Sequence, residues 1–214
     1  MTEQLGIDAL GVSAISSEGV VLETRFHSVR AAEPVAEQVI FLSDAEAQRS
    51  WGDSHAPARR RDDLRGVDLV PVRVHLADPF SAVTSLYDLY LRLYLLSSRA
   101  RMPGQLSLEG LLDHMVNIAW TSLGPCLPDR VDALRWQAER AGIRLDVSGI
   151  WPCPRMTDHV VPTGVKILNA ENVRLGAYLA PGTVVLAGGF CNTATATLGP
   201  TMVEGRISLG VVVG

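Results

Sequence analysis

Several residue types and patterns are scarce in this 214-residue chain, and each scarcity narrows its possible functions. Lys166 is the only lysine, the net charge is −4 and the pI is near 5.7, so a basic nucleic-acid-binding surface is not expected. No apolar run reaches 18 residues, so no membrane partner is predicted. The opening residues, MTEQLGIDAL, have neither the basic segment nor the apolar core of a signal peptide. We therefore predict a cytoplasmic protein.

Cysteine is also sparse. The three cysteines, Cys126, Cys153 and Cys191, are widely separated and lack the short spacings of metal-binding motifs. Each lies among apolar residues or prolines. This context favours buried structural thiols over reactive or metal-ligating ones.

Almost all positive charge in the chain is arginine. Arginine pairs bidentately with carboxylates and phosphates, which suits an anionic ligand, although a bias in coding composition gives the same pattern. The densest cluster lies in the segment QRSWGDSHAPARRRDDLRG, residues 48–66, where Asp62 and Asp63 follow three arginines. Because the charges cancel locally, we predict a solvated loop there, with an anion-binding patch as the alternative.

Residues 1–150 predict an N-terminal α/β domain. The segments GIDALGVSAIS and VVLETRF, joined by SEG, indicate a hairpin, and EQVIFLS, VDLVPVRVHL and IRLDVSGIW indicate further strands. Helices are predicted over residues 84–101, 107–120 (with Ser107 as N-cap) and 127–142. His114, on the second of these helices, is interpreted as a structural residue. None of these elements indicates a reaction by itself.

From Val161 onward the sequence repeats with a period of six residues. Eight of the nine first positions are apolar: Val161, Ile167, Val173, Leu179, Val185, Cys191, Thr197 (the exception), Val203 and Leu209. The fifth position is often small or β-branched, as at Ala177, Thr183, Ile207 and Val213. This repeat is typical of a parallel β-helix, in which three hexads make one triangular coil and the first residue points inward.

The predicted fold class is therefore α+β: an N-terminal α/β domain over residues 1–150, then a hexapeptide-repeat β-helix of about three coils over 151–214. The last hexad, LGVVVG, would leave an apolar coil edge bare. We expect either that another chain covers this edge or that the sequence is the front part of a longer β-helix.

Four long strings of the sequence carry a family resemblance: PRMTDHVVPTGVKILNAENVRLGAYLAPGTVV, TLGPTMVEGRISLGVVVG, YDLYLRLYLLSSR and NIAWTSLGPC. These strings resemble the tetrahydrodipicolinate N-succinyltransferases, of the type found in actinobacteria. The resemblance implies a homotrimer of left-handed parallel β-helices with active sites between subunits. It also implies transfer of a succinyl group from succinyl-CoA to an amino dicarboxylate in the diaminopimelate and lysine pathway. The later coils of the family, which form most of its CoA-binding groove, have no counterpart here.

The resemblance assigns roles to two residues of the MVEGRIS string. Glu204 takes the position of the catalytic glutamate, and Arg206 takes that of the arginine that contacts the succinyl-CoA donor. A carboxylate on an otherwise apolar coil is expected to be desolvated, with its pKa raised toward a range useful for proton transfer or acyl capture. The alternative is a structural Glu–Arg pair on the coil surface.

Other family positions are only partly kept. The family's acidic pair for Mg²⁺ falls on Glu171 and Gly188, so only one carboxylate remains. Asn192 is retained, whereas Ala194 and Ala196 replace an asparagine and a glycine near the expected acceptor pocket.

Two functions remain open from the sequence. One is N-succinylation of tetrahydrodipicolinate or a related amino dicarboxylate, with Arg155 and Arg174 as further candidates for binding the acceptor carboxylates. The other is a non-catalytic, shortened relative that assembles with a longer chain. The sequence does not decide between succinyl-CoA and acetyl-CoA as the donor.

Overall fold

The computed structural model describes residues 6–36, 38–52 and 56–214. In chain order the strands are β1 (Gly6–Ser16), β2 (Val21–Ala32), β3 (Gln38–Phe41), β4 (Arg60–Asp62), β5 (Val67–Leu76), β6 (Ala119–Thr121), β7 (Gly124–Cys126), β8 (Val147–Ile150), β9 (Lys166–Ile167), β10 (Tyr178–Leu179), β11 (Val184–Val185), β12 (Phe190–Cys191), β13 (Ala196–Thr197), β14 (Met202–Val203), β15 (Arg206–Ile207) and β16 (Val212–Val213). The α-helices are α1 (Asp44–Trp51), α2 (Leu86–Ser97) and α3 (Val131–Arg140). No helix among the described residues is long and apolar enough to cross a membrane.

The chain divides into two compact units that are not continuous in sequence. The first unit contains Met1–Asp78 and Met115–Pro152, and the second contains Pro79–His114 and Cys153–Gly214. The predicted domain boundary at residue 150 stays a prediction.

The first unit is built on an antiparallel sheet with the strand order β2-β1-β5-β3, in which β4 also pairs with β5. The predicted hairpin is present, and Gly19 closes its turn with φ +80, a conformation that glycine adopts without strain. Ala14, Leu22 and Val67 of these strands pack with Ile118 and Trp120 in one apolar cluster. A second, smaller sheet has the order β7-β6-β8.

The predicted loop over residues 48–66 is wrong at both ends. Helix α1 enters the segment because Ser43 and Glu46 form a capping box at its start. Near the other end, Arg60–Asp62 pairs with Val67–Leu69 as strand β4. Residues 53–55 of this prediction lie outside the described part of the chain.

The predicted helix over residues 107–120 is also wrong. Gly110 has φ +79, which interrupts a right-handed helix, and only a 3₁₀ turn follows at Leu111–His114. His114 is structural, since its Nε2 lies 3.0 Å from the carbonyl oxygen of Val83. Ala119–Thr121 then forms strand β6.

The second unit begins with helix α2, which confirms the helix predicted over residues 84–101 with shorter bounds. Arg92 is fully buried and forms an ion pair of 2.6 Å with Asp88. Its guanidinium also donates to the carbonyl oxygens of Pro79, Ser81 and Ser107. Because a buried charge is costly unless it is paired and hydrogen-bonded, these contacts are what allow Arg92 to lie inside.

The rest of the second unit is a coil of short parallel strands. They form three sheets, with the orders β9-β11-β14, β10-β13-β16 and β12-β15. Val184 pairs with Lys166 and Met202, each eighteen residues away, which is three hexads. This pairing is the one that the six-residue repeat predicts for a parallel β-helix. The number of coils and their handedness stay predictions.

The first residues of the hexads, which are predicted to point inward, are buried in the middle of the repeat. At the end of the repeat the observed positions differ from the predicted ones. Val173, Leu179, Val185, Cys191, Thr197 and Val203 are all buried. Two predicted members, Val161 and Leu209, are instead exposed. Ile207 pairs with Cys191 and Val213 with Thr197, so the paired positions of the last coil lie two residues earlier than the repeat predicts. The cause is a short corner between Val203 and Ile207.

Candidate active site

The short corner carries Glu204 and Arg206. Two backbone bonds hold it against the preceding coil: Leu186 N donates to Val203 O at 3.0 Å, and Phe190 N donates to Gly205 O at 3.0 Å. Gly189 makes this approach possible, because a Cβ there would lie 2.2 Å from the carbonyl oxygen of Val203. The backbone of this corner therefore sets the positions of the two candidate side chains.

Glu204 is exposed in this chain. The expected desolvation by an apolar coil face is not observed. In the part of the chain that the structure describes, Glu204 and Arg206 form no ion pair, so the alternative of a structural Glu–Arg pair is not observed either.

Arg206 lies on an aromatic ring instead. Its guanidinium carbon is 4.7 Å from the centre of the Phe190 ring, and that of Arg174 is 5.9 Å from the same ring. Phe190 and Arg206 are direct neighbours in the parallel pairing of β12 with β15. Two positive groups therefore converge on one ring, which a cation–π contact stabilises.

Arg174 is the more buried of the two arginines. Burial lowers the pKa of its guanidinium from the usual value. Its Nη1 donates to the carbonyl oxygen of Cys153 at 3.4 Å. Asn192, partly buried directly after β12, accepts a bond from Thr193 N at 2.9 Å through Oδ1. We call Arg174, Phe190, Asn192 and Arg206 the Phe190 face.

Arg155 is already engaged by carboxylates. Its guanidinium binds both oxygens of Asp158 at 3.0 Å, and its Nη1 lies 2.6 Å from Glu171 Oε1. These contacts raise the pKa of Arg155, the bonds to Asp158 being the largest cause. Because two carboxylates already pair with its guanidinium, Arg155 is a poorer partner for a substrate carboxylate than Arg174 or Arg206.

The residues at the implied Mg²⁺ position do not suit a metal ion. Glu171 is held by Arg155, and position 188 is a glycine whose Cβ would lie 3.4 Å from the carbonyl oxygen of Glu204. No group of three or more potential ligands occurs among the described residues.

The hexad repeat did not reveal the role of Phe190. A repeat of this kind identifies inward residues, whereas Phe190 precedes the inward Cys191 and points its ring to the other side. One feature of the sequence could have indicated this contact: Arg206 lies in the next coil at the position that matches Phe190.

Comparisons with known proteins show what the chain is similar to. The family profile described as "Tetrahydrodipicolinate N-succinyltransferase middle" matches residues 115–155. The chain is 41% identical over its whole length to 2,3,4,5-tetrahydropyridine-2,6-dicarboxylate N-succinyltransferase of Salinispora tropica. It is 34% identical, over 96% of its length, to the protein of the same name from Pseudomonas putida.

A solved structure shares the fold. It is a crystal structure of a putative 2,3,4,5-tetrahydropyridine-2-carboxylate N-succinyltransferase from Campylobacter jejuni, with a TM-score of 0.79 and 20% identity over 98% of this chain. The chain spans just under two thirds of the length of these relatives, 66% and 65% for the first two and 64% for the third. From the two sequence relatives and the profile we conclude that the chain belongs to the tetrahydrodipicolinate N-succinyltransferase family.

Proposed function

We propose that the protein is an acyltransferase that uses succinyl-CoA to succinylate the amine of tetrahydrodipicolinate, in its cyclic or ring-opened form, or of a related amino dicarboxylate. The observation that carries this proposal is the 41% identity, along the whole chain, to a relative with that name. No observation favours the non-catalytic alternative.

The reaction joins an amine to a thioester. The amine attacks the succinyl carbonyl, a C–N bond forms, the C–S bond breaks, and the proton lost by the amine ends on the CoA thiolate. Glu204 is proposed as the catalytic carboxylate, either relaying this proton or capturing the acyl group. Its exposure at the corner leaves its oxygens accessible to both substrates.

The Phe190 face is proposed to bind the anionic groups of the substrates. Arg206, two residues from Glu204, holds the succinyl carboxylate, for which a guanidinium is geometrically suited. Arg174 and Asn192 bind the acceptor, whereas Arg155 has the lesser role of orienting Asp158 and Glu171. We further propose a homotrimer of left-handed β-helices of about three coils in this chain, in which a second subunit lies beside Glu204, leaves its oxygens open to the substrates and supplies part of the missing desolvation.

The test is the variant Glu204→Gln, which keeps the side-chain shape and removes the charge. We expect turnover to fall by about 10²–10⁴, the usual loss for a catalytic acid or base. The matched control is Glu109→Gln, an exposed carboxylate of the same unit. If Glu204→Gln retained acyl transfer within about threefold of the parent, the assigned role would be wrong.

The donor is tested with Arg206→Gln. We expect the variant to lose preference for succinyl-CoA over acetyl-CoA, because acetyl-CoA has no carboxylate for Arg206 to hold. The loss should appear in KM for succinyl-CoA, with KM for acetyl-CoA nearly unchanged. An equal change for both donors would assign Arg206 to another part of the reaction.

A further inference from the structure

The first unit contains a cavity of about 490 Å³ that the proposed acyl transfer does not use. Strands β1, β2, β3 and β5 form its floor, and α1 contributes one wall. Cavities of this size accommodate small organic ligands. The side chains that line it indicate what kind of ligand would fit.

The floor consists of two neighbouring rows across the sheet. Strand pairing aligns Ser28, Leu10, Arg73 and Ile40 in one row. The next row on the same face contains Arg30 and Asp8. Since residues two apart on a strand share a face, these side chains all point to the same side.

Three arginines from different elements line the cavity: Arg30 of β2, Arg49 of α1 and Arg73 of β5. Asp8 is buried and takes two bonds from Arg30, at 2.9 and 2.7 Å to Oδ2. Arg73 is less well matched. Its Nη2 donates to Ser50 Oγ at 3.0 Å, and its Nε lies 3.8 Å from Asp8 Oδ1, beyond hydrogen-bonding distance.

Arg73 Nε is therefore a buried donor with no hydrogen-bond acceptor among the described residues. A buried donor that stays unsatisfied destabilises the folded chain. Arg49 is exposed on α1, and it forms no ion pair within 4 Å among the described residues, although its charge acts on Glu46. An anion placed between Arg73 and Arg49 would accept a hydrogen bond from Arg73 Nε and pair with the charge of Arg49.

The acidic residues of the cavity do not cancel its positive charge. Three guanidinium groups face two carboxylates, Asp8 and Glu46. Glu46 is held by Ser43, whose N and Oγ donate to Oε2 at 2.8 and 2.6 Å. These bonds are the main cause of its lowered pKa, and Arg49 and Arg73 add to it. One positive charge therefore remains, beside the apolar side chains of Leu10, Ile40 and Leu42.

We propose that this cavity binds a small organic anion, with its carboxylate or phosphate group between Arg73 and Arg49 and its apolar part on Leu10, Ile40 and Leu42. The two guanidinium groups suit either anionic group, since both present paired oxygens. This binding is independent of acyl transfer and is measured without it.

The experiment titrates the whole chain with three probes that each carry a phenyl ring: 3-phenylpropionate, phenyl phosphate and the neutral 3-phenylpropanamide, which matches the first in shape. Binding is followed by calorimetry and by NMR shifts of the backbone amides of Leu10, Ser28 and Ser50. We expect at least one anion to bind with a Kd of about 1 mM or tighter, and the amide to bind at least tenfold more weakly. The stronger of the two anions identifies the group that the site prefers.

The variant Arg73→Gln should weaken binding of that anion at least tenfold. Arg49→Gln, on the exposed helix surface, gives the same test without disturbing the sheet. The control is Arg144→Gln, which removes the same charge from an exposed site of the same unit. The proposal is overturned if neither anion binds, if the amide binds as tightly as the anions, or if Arg49→Gln binds as the control does.

Discussion

Ala194 adopts a backbone conformation that alanine rarely takes. Its φ is +59, in the left-handed region, where a Cβ approaches the following carbonyl. Neighbouring contacts hold it there: Ala194 N donates to Gly176 O at 3.1 Å, and Thr195 Oγ1 donates to Asn192 O at 2.8 Å. The family's asparagine would tolerate this conformation better. The turn beside Asn192 is therefore maintained against local strain.

We expect Ala194→Gly to stabilise the second unit. Relief of left-handed strain is worth about 1–2 kcal/mol, and the added freedom of the unfolded chain costs about 0.5–1 kcal/mol. The free energy of unfolding should rise by roughly 0.5–1 kcal/mol, measured by urea denaturation. Ala187→Gly is the control, since its φ is not positive, and it should bring no gain. Equal effects of the two substitutions would argue against strain at Ala194.

At the scale of an element, the β-coil contains a polar pair in its interior. Thr197 breaks the apolar row of the repeat, yet it is fully buried, as is Thr183. Their hydroxyls lie 2.7 Å apart, and Thr197 Oγ1 also accepts a bond from Ala180 N at 3.2 Å. Thr197, the exception in the apolar row, is therefore accommodated in the interior because its hydroxyl forms a hydrogen bond with the adjacent coil.

A double-mutant cycle tests this pair. Thr197→Val should lower the free energy of unfolding by about 1–3 kcal/mol, because it leaves the Thr183 hydroxyl buried without its partner. Thr183→Val should lower the free energy of unfolding in the same way, because it leaves the Thr197 hydroxyl without this partner. The double variant should lower it by less than the sum of the two single losses. Thr201→Val, at a partly exposed position, is the control. Strictly additive losses in urea denaturation would show that the hydroxyls do not interact.

The sequence predicted the elements whose pattern is set by local periodicity. The hairpin, α2, α3 and the parallel pairing at eighteen residues all agree with their predicted types. The helix over 107–120 failed because apolar spacing does not show the left-handed Gly110, and α1 was missed because its start depends on a cap rather than on an apolar stripe.

The candidate site was predictable only in part. The resemblance located Glu204 and Arg206, but the six-residue period could not show that the corner between Val203 and Ile207 is two residues short. Phe190 was missed for the same reason, since its contact with Arg206 depends on how the coils stack. Pairing between coils is a property of the folded chain that periodicity does not fix.

At the scale of the whole molecule, buried thiols are distributed over both compact units. Cys126 lies in the first unit, and Cys153 and Cys191 lie in the second. Burial raises the pKa of Cys126, and it raises the pKa of Cys153 and of Cys191 to about 11. A raised pKa keeps each thiol neutral and poorly nucleophilic, so each thiol can report when its own unit opens.

We expect all three thiols of the native chain to react with iodoacetamide only through unfolding. Mass spectrometry identifies which cysteines are labelled at each urea concentration. We expect Cys153 and Cys191 to have the same midpoint urea concentration for labelling, because both belong to the second unit. Ser17→Cys, in the exposed hairpin turn, is the control and should react at once without urea.

The same thiols give the second unit a defined response to alkaline pH. The unfolded thiols ionise near pH 9.0, whereas folded Cys153 and Cys191 ionise near 11. The stability that their neutral forms contribute is therefore complete below about pH 9.0 and is lost as the pH rises toward 11. The labelling midpoint of both cysteines should move to lower urea over this interval. Native-state labelling at pH 7 as fast as that of the control thiol would show that the thiols are not buried, since only an accessible thiol reacts without unfolding.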